Sequence, residues 1–389
     1  MLTGPFPPWP NFTQEEADAV SRVLLSNKVN YWTGTEAREF EKEFAEFAGT
    51  DYATALTNGT VAIDLALYGL GIGSCNGGSE EDEVIVTPRS FMASASAIVN
   101  AGAIPVFADV DADSQNITPE TAAPLINQNT RAILCVHLGG WPCDMDGFRD
   151  LIGSRNIRLI EDCAQAHGAT YKGRSVGGLG DVAAWSFCQD KIMTTGGEGG
   201  MVTCNDEDMW KRMWSYKDHG KSWDAVYNRD HAPGFRWLHE DFGTNWRLTE
   251  MQAAIGRIQL RRMPEWHAAR SQNADNLTKT LRPFSGEGGA IRLVQPAGND
   301  YGHAYYKYYA FVRPENLPDG KDRDNVIAHF IEQGLPSMQG TCSEMYLEKA
   351  FEKAGLQPEK RLAVAKRLGE TSLLFLTHPG VEDVPVSLF

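Results

Sequence analysis

Seven short apolar runs, separated by stretches with helical periodicity, constrain the fold of this 389-residue chain more than any other feature. The stretches between them, such as 61–70 and 91–101, carry apolar residues at helical spacing. Strands that alternate with helices predict an α/β fold with a largely parallel sheet covered on both faces. Ligands of such sheets bind at the carboxyl ends of the strands, so the residues after each run are the first candidates for a site. The runs lie at residues 53–56, 83–87, 104–110, 132–137, 158–162, 183–187 and 200–204.

The segments on either side of this region complete the large unit and then predict a second, smaller one. Amphipathic helices precede the first strand. Residues 217–245, rich in Trp, His and Gly, predict a long structured loop that lines a site. A helix at 249–261 and a long helix after Pro264 follow. Strands at 305–312 and 372–376 and helices at 322–333 and 360–368 then complete a small α/β unit. We therefore expect a large domain over residues 1–263 and a small one over 264–389.

The charge and the cysteines exclude several classes of function. A net charge of −15 argues against binding to nucleic acid or to an anionic membrane, although a phosphate-bearing small ligand can still bind at helix N-termini. No apolar run approaches the ~20 residues that span a bilayer, and the N-terminus does not resemble a signal peptide. Seven cysteines without close Cys-x-x-Cys pairs indicate neither a disulfide framework nor a zinc site. We predict a cytoplasmic protein without a metal.

Asp162 ends the run at 158–162 and is a candidate binding residue. Side chains alternate along a strand, so Ile160 and Asp162 share one face and Glu161 takes the other. A carboxylate at a buried strand end needs a cation or several donors. A protonated pyridine nitrogen is one such cation, and a cap on the next turn is an equally good reading of the spacing alone.

Lys191 lies just after the run at 183–187 and just before the glycine-rich residues 196–200. A lone lysine is usually a solvated surface residue. Between a buried strand and a turn where backbone can approach a flat ligand, it can instead form a Schiff base if its surroundings lower its pKa.

Two further strand-to-helix junctions carry weaker signals. Asn58, Gly59 and Thr60 precede a helix whose free amides and dipole can bind phosphate, or they form an ordinary helix cap. Phe91 can stack on a planar ring or can be a core aromatic residue.

Four ordered motifs resemble the sugar aminotransferases of the DegT/DnrJ/EryC1/StrS family. The resemblance covers nearly the whole chain, from Asn30 to about Pro379, and four motifs of this length in the same order are not expected by chance. It implies the aspartate-aminotransferase fold (pyridoxal-phosphate fold type I), with a mostly parallel central sheet and a small C-terminal α/β domain. The motifs are TNGTVAIDLAL, IEDCAQAHGA, WSFCQDKIMTTGGEGGMV and NWRLTEMQAAIGRIQL.

The resemblance also implies a cofactor, pyridoxal 5′-phosphate, and a catalytic lysine. Lys191 would carry the cofactor and move the proton between cofactor and substrate. Asp162 would pair with the pyridinium nitrogen and keep the ring an electron sink.

The other implied contacts come from several segments and from two subunits. Phe91 would stack on the ring, Gln165 would lie near its phenolic oxygen, and Asn245 would reach the phosphate of the partner subunit's cofactor. A homodimer with shared active sites is therefore expected. The phosphate itself would be bound by Gly59, Thr60 and Ser186.

Two departures from the family pattern narrow the expected substrate. Many members have a histidine between the strand and the lysine, where this chain has Cys188, Gln189 and Asp190, and many have a histidine where residues 339–344 read QGTCSE. Both variants, together with residues 216–220 (YKDHG), are similar to the subgroup that aminates a UDP-linked 4-keto-6-deoxy-N-acetylhexosamine for protein glycosylation and surface polysaccharides. The resemblance then implies transfer of the amino group of L-glutamate to the C4 ketone of that sugar nucleotide.

Three alternatives stay open at this point. The same chemistry can act on a GDP- or dTDP-linked keto sugar or at C3. A sugar dehydratase on this fold goes with a histidine at the lysine position, and Lys191 speaks against it. A non-catalytic regulator has no need of an intact lysine, acid and phosphate loop. Among the histidines, His167 and His219 are candidates to line the cavity, and His378 is expected to be a packing or loop residue.

Overall fold

The computed structural model describes residues 6–231, 233–234, 236–296 and 298–388, which form both strands and helices throughout. The strands are β1 (Tyr52–Leu56), β2 (Glu83–Val86), β3 (Ile104–Phe107), β4 (Thr130–Val136), β5 (Arg158–Asp162), β6 (Thr170–Tyr171), β7 (Arg174–Ser175), β8 (Val182–Ser186), β9 (Gly200–Cys204), β10 (Ile291–Leu293), β11 (Tyr301–Gly302), β12 (Tyr308–Val312), β13 (Ser337–Met338) and β14 (Ser372–Phe375). The helices are α1 (Gln14–Ser26), α2 (Glu36–Ala48), α3 (Gly59–Leu70), α4 (Ala93–Asn100), α5 (Pro119–Ala122), α6 (Met145–Ile152), α7 (Glu207–Lys217), α8 (Trp223–Tyr227), α9 (Glu250–Leu281), α10 (Arg323–Glu332), α11 (Lys349–Ala354) and α12 (Ala363–Thr371).

The largest sheet has seven strands in the order β1-β9-β8-β5-β4-β2-β3. Each of the seven apolar runs contributes one of its strands, as predicted. The pairs from β8 to β3 are parallel, whereas β9 is antiparallel to both of its neighbours, β1 and β8. The expected mostly parallel sheet is therefore confirmed, with β9 reversed within it.

Both faces of this sheet are buried, because successive side chains of a strand point to opposite faces. In β2, Ile85 packs into the cluster that includes the aromatic residues of α2, while Val84 and Val86 pack into the cluster with α3 and α4. Helix α2 contributes Phe40 and Phe44, which are fully buried. Burial on both faces explains why the runs are continuously apolar rather than alternating.

Helix α9 is continuous over 32 residues and contains Pro264 in its interior. The expected break between two helices at Pro264 is therefore wrong, although a proline removes one helical hydrogen bond. Packing at both ends offsets that loss: the first half lies against α1 and α2, and the second half buries Leu277 and Leu281 in the small C-terminal core. The predicted domain boundary between residues 263 and 264 lies inside this helix, and the division stays a prediction.

The C-terminal region builds a second sheet in the order β10-β12-β14-β13, in which every pair is antiparallel. Helices α9 and α10 cover it, with Phe330 of α10 packed against Phe375 of β14. Strand β11 pairs instead with β6, which lies in the chain between β5 and β8 of the large sheet. This pairing connects the C-terminal region to the large sheet's part of the chain. Among the described residues, every helix is too short or too polar to cross a membrane.

Candidate active site

A cavity of about 680 Å³ opens at the carboxyl ends of β5 and β8, beside the N-terminus of α3. The fold of a largely parallel sheet predicts a ligand at this edge. All of the predicted cofactor-binding residues except Asn245 line it: Gly59, Thr60, Phe91, Asp162, Gln165, Ser186 and Lys191.

Asp162 lies at the floor of this cavity, at the end of β5, with 5% of its surface exposed. Its Oδ2 accepts a hydrogen bond of 2.8 Å from Ser94 Oγ, and its Oδ1 accepts one of 3.1 Å from the Ala164 N–H. A carboxylate has about four acceptor positions, so Asp162 can also accept from a ligand. Asp162 thus both caps the next turn and lines the cavity.

Glu161 points to the opposite side of β5, as the alternation of side chains predicts. Its carboxylate accepts from the backbone N–H groups of Gly177, Leu179 and Gly180 and contacts His137 Nε2 at 3.0 Å. His137 Nδ1 accepts from the Cys143 N–H, which leaves Nε2 as the donor to Glu161. Glu161 and His137 thus form a hydrogen-bonded pair on the face of β5 opposite to Asp162.

Cys163 lies close enough to this pair that one potential metal-ligand atom from each of His137, Glu161 and Cys163 falls within 4.8 Å of the others. Sequence spacing gave no sign of this group, because its members come from two strand ends that only the parallel sheet brings together. The hydrogen bonds already made by Glu161 and His137 occupy the atoms that a metal would need.

Lys191 lies in the turn after β8, with its side chain 15% exposed. Its backbone N–H donates to the Cys188 carbonyl at 3.1 Å, and its carbonyl accepts from Trp9 Nε1 at 2.8 Å. Nζ lies 3.8 Å from Asp190 Oδ1 and 5.2 Å from the centre of the Tyr306 ring. The lysine is therefore fixed by its backbone while its amine faces open space in the cavity.

The N-terminus of α3 forms a corner suited to a phosphate. The Asn58 side chain caps the helix by accepting from the Val61 N–H at 3.0 Å, and Gly59 begins the first turn. A Cβ on Gly59 would lie 2.5 Å from Ser186 Cβ, far inside a normal contact. The glycine thus lets the end of β8 approach the helix amides, whose dipole favours an anion.

Phe91 and Gln165 lie between this cavity and a second one. Phe91 is 68% exposed, so it is not a core aromatic residue. Gln165 Oε1 accepts from the Gly139 N–H at 2.8 Å, which fixes the side chain and leaves its Nε2 amide for a ligand.

A second cavity, of about 320 Å³, adjoins the first and shares Phe91, Gln165, Asp190 and Lys191 with it. Its other wall comes from the N-terminal segment, α9 and the small sheet. Sequence reasoning missed this wall because its residues come from separate segments of the chain that only the fold brings together. It includes Trp9, Arg270, Tyr306, Lys307 and His378. His378 lies in a loop, as one of its two expected roles had it, and also lines this cavity.

The pKa values of several charged groups around Lys191 are shifted by burial and by neighbouring charges. Burial disfavours the charged form of Asp190, but the Lys191 charge and a hydrogen bond from the Tyr306 hydroxyl outweigh it and lower the Asp190 pKa. Burial lowers the pKa of Lys307 to about 8 and that of Arg270 to about 9. The described residues that line the second cavity include three basic side chains, Lys191, Arg270 and Lys307, against the single carboxylate of Asp190.

Asn245 and the two candidate histidines lie outside both cavities. Asn245 is exposed and pairs through its backbone with Asp218, whose buried carboxylate accepts from Lys221 and Arg247. His167 is fully buried beside aromatic rings, and burial lowers its pKa to about 3. His219 is exposed. The cofactor role predicted for Asn245 requires a second subunit and stays a prediction.

A lysine, a strand-end carboxylate and a helix N-terminus surround one cavity of this sheet, which is the arrangement that the resemblance to the DegT/DnrJ/EryC1/StrS family predicts. The model of the DegT/DnrJ/EryC1/StrS aminotransferase family matches residues 10–387. The chain belongs to this family, whose members include pyridoxal-phosphate-dependent sugar aminotransferases.

Individual relatives agree with this assignment. The chain is 42% identical over 348 residues to the GDP-perosamine synthase of Caulobacter vibrioides, and the alignment covers 90% of this chain and 86% of that one. It is 34% identical over 365 residues to the dTDP-3-amino-3,4,6-trideoxy-alpha-D-glucose transaminase of Streptomyces venezuelae, covering 94% and 87%. The X-ray structure of the aminotransferase from Psychrobacter cryohalolentis matches with a TM-score of 0.94 and 59% identity, covering 97% of this chain and 95% of that one. The predicted family and cofactor are thereby confirmed.

The first cavity fits pyridoxal 5′-phosphate in four respects. The close approach at Gly59 leaves helix amides for a phosphate. Asp162 keeps acceptor capacity for a pyridine nitrogen. Phe91 offers an exposed ring for stacking, and Lys191 offers an amine that would hold the cofactor.

Proposed function

We propose that the enzyme moves the amino group of L-glutamate to the C4 ketone of a UDP-linked 4-keto-6-deoxy-N-acetylhexosamine and so makes a 4-amino sugar nucleotide. The observation that carries the amino transfer is the position of Lys191, which lies on the wall shared by the cofactor cavity and the second cavity. A substrate in the second cavity would meet the cofactor at this residue. The choice of UDP and of an N-acetylhexosamine is supported by the QGTCSE and Cys188–Asp190 variants of the motifs.

Lys191 would perform the proton transfers in both halves of the reaction. When bound, pyridoxal 5′-phosphate supplies an electron sink for the charge that develops at the substrate carbon. Lys191 Nζ then takes the proton from the α-carbon of glutamate and, in the second half, delivers a proton to C4 of the sugar. One amine can serve as base and acid because its proton affinity changes with its bonding state.

Neighbouring side chains would hold the reacting groups in place. Asp162, fixed by Ser94 and the Ala164 N–H, would pair with the pyridine nitrogen. Gly59, Thr60 and Ser186 would hold the phosphate. Asp190, 3.8 Å from Lys191 Nζ, would attract the charged amine.

The same chemistry on a GDP-linked 4-keto sugar is the second candidate. It is favoured by relatives named GDP-perosamine synthase, at 42% identity in Caulobacter vibrioides and 37% in Escherichia coli O157:H7. A dTDP-linked substrate is the next candidate, from the Streptomyces venezuelae relative.

We also propose a homodimer in which Asn245 completes the partner's cofactor site. The loop that carries Asn245 is held by the buried Asp218 network, yet it exposes Phe242 to 93% and Trp237 to 91%. Large apolar side chains exposed on a fixed loop are typical of a surface that another chain covers. The seven cysteines are all free, which supports the proposed cytoplasmic location.

The substrate is tested with a panel of 4-keto-6-deoxy sugars linked to UDP, GDP and dTDP, each incubated with L-glutamate and the cofactor-loaded protein. We expect mass spectrometry to show a ketone converted to an amine with the UDP-linked N-acetylhexosamine at the highest kcat/KM. A higher kcat/KM with the GDP-linked sugar would replace the proposed nucleotide with the second candidate. No amine from any sugar, while glutamate still changes the visible absorbance of the cofactor, would refute the sugar but not the amino transfer.

A further inference from the structure

The second cavity contains a lysine that the proposed reaction has not yet used. Lys307 precedes β12 and lines this cavity, and its ammonium group has no hydrogen bond or ion pair with any residue that the structure describes. Its nearest interaction is with the ring of Tyr306, whose centre lies 4.7 Å from Nζ. An unpaired cation in a cavity wall is costly unless a ligand satisfies it.

The surroundings of Lys307 add positive charge rather than neutralise it. Arg270, fully inside the same wall, donates only to the carbonyls of Tyr305 and Tyr306 and to the Thr377 hydroxyl, each at 3.4 Å. Its Nε has no partner among the described residues. Asp190, the one carboxylate among the described residues that line this cavity, already interacts with Lys191 and with the Tyr306 hydroxyl. This wall therefore offers two cations to an anion that the protein does not supply.

The position of Lys307 relative to Lys191 indicates which anion it is. Both ammonium groups contact the same Tyr306 ring, at 5.2 Å for Lys191 and 4.7 Å for Lys307, so their nitrogens are separated by no more than the sum of these distances. The carboxylate of an α-amino acid lies two bonds from the amine that reacts beside Lys191, and a charge-assisted hydrogen bond adds about 2.8 Å. The cavity of about 320 Å³ is at the lower end of ligand pockets, which suits an amino acid better than a whole sugar nucleotide.

We propose that Lys307, supported by Arg270, binds a carboxylate of the amino donor and of the 2-oxo acid that it becomes. This rests on the proposed amino transfer from an amino acid and identifies the part of the site that recognises it. Lys307 is then a specificity-determining residue for the donor half of the reaction, and the sugar half does not depend on it.

Charge on Lys307 gives the interaction a defined pH dependence. Burial first, and then the charges of Arg270 and Lys191, lower its pKa to about 8, while Asp190 acts in the opposite direction. The cation is present below this pH and is lost above it. Burial also lowers the pKa of His378 to about 4 and raises that of Tyr306 well above its usual value, so both are neutral near pH 8. Carboxylate binding should therefore weaken as the pH rises through about 8.

The test is calorimetric titration of the cofactor-loaded protein with maleate, an unreactive dicarboxylate, at pH 7 and pH 9. We expect the wild type to bind maleate more weakly at pH 9, and K307M to bind it about ten- to a hundred-fold more weakly at pH 7. K307R should restore part of the affinity and reduce the pH dependence, to which Arg270, with its pKa lowered by burial to about 9, still contributes. K366M, which alters an exposed lysine paired with Glu370, is the matched control and should leave binding unchanged.

The two half-reactions separate this proposal from the function on which it rests. Each half-reaction is monitored by the visible absorbance of the cofactor. In K307M the apparent affinity for glutamate should fall, while the apparent affinity for the keto sugar should stay within two-fold of the wild type. Equal maleate binding by wild type and K307M, or a defect confined to the sugar half-reaction, would overturn the donor assignment. If the wild type itself shows no absorbance change with glutamate, the proposed function fails instead. Should K307M not fold, pH-independent maleate binding by the wild type would still overturn it.

Discussion

Replacement of Gly59 by alanine tests the proposed phosphate corner most sharply. The new Cβ would lie 2.5 Å from Ser186 Cβ, 2.9 Å from its Oγ and 3.0 Å from its Cα. Carbon atoms in contact normally lie about 3.5–4.0 Å apart, so the first turn of α3 must move by roughly 1 Å. Strand β8 cannot yield, because it is hydrogen-bonded between β5 and β9 in the middle of the sheet.

The cost of this displacement should appear in cofactor binding. Overpacking of a buried site costs about 1–3 kcal/mol, which corresponds to a roughly 5- to 150-fold higher Kd for pyridoxal 5′-phosphate. The assay is titration of the stripped protein with the cofactor, followed by the visible absorbance, alongside the melting temperature of the stripped protein.

G69A provides the matched control on the same helix. Its Cβ would approach Met213 Cγ at 2.8 Å and Sδ at 2.9 Å, which belong to a flexible side chain that can move away. We expect G69A to bind the cofactor as the wild type does. If G59A binds the cofactor within two-fold of the wild type, the proposed phosphate site at the N-terminus of α3 is refuted. If G69A weakens cofactor binding as much as G59A does, the effect is not local to that site.

Three further changes have defined outcomes. D162N keeps the side chain's shape but removes its charge, so we expect kcat to fall at least a hundred-fold with the fold intact by circular dichroism, and near-normal kcat would exclude the pairing role. Mixing inactive K191A and N245D dimers should restore roughly a quarter of wild-type activity, because half of randomly mixed dimers are hybrids with one intact site; no recovery in subunits shown to exchange would place each site within one chain. Burial raises the pKa of Asp64 to about 6, so its charge destabilises the folded state above that pH and not below its unfolded pKa; D64N should therefore raise the melting temperature more at pH 8 than at pH 5, and an equal shift at both would contradict the burial argument.

Sequence reasoning located the parts of the site that depend on local order. Asp162 and Lys191 each follow an apolar run directly, and a parallel sheet brings the carboxyl ends of its strands to one edge, so both line the predicted cavity. Gly59 and Phe91 were identified for the same reason. In each case the short segment alone left a structural alternative open, and the exposed ring of Phe91 shows that the core alternative was wrong for that residue.

The remaining parts depend on contacts between distant segments. Trp9 and Lys307 reach the site from the N-terminal segment and from the small sheet, and neither position carries a local pattern. The reversal of β9 is set by its pairing with β1 and β8, not by its own apolar run. Pro264 was misread because its local preference to end a helix is outweighed by packing along both halves of α9.

Amino transfer at Lys191 is the central claim, and isotope transfer tests it most directly. Cofactor-loaded wild type is incubated with ¹⁵N-glutamate and the UDP-linked 4-keto-6-deoxy-N-acetylhexosamine, and the sugar nucleotide is analysed by mass spectrometry, with K191A as the control. We predict a 4-amino sugar nucleotide that carries the heavy nitrogen in the wild type and unchanged ketone in K191A, which still binds the cofactor. Labelled amino sugar formed at a normal rate by K191A would contradict the role of Lys191, and an amine without the label would contradict glutamate as the donor.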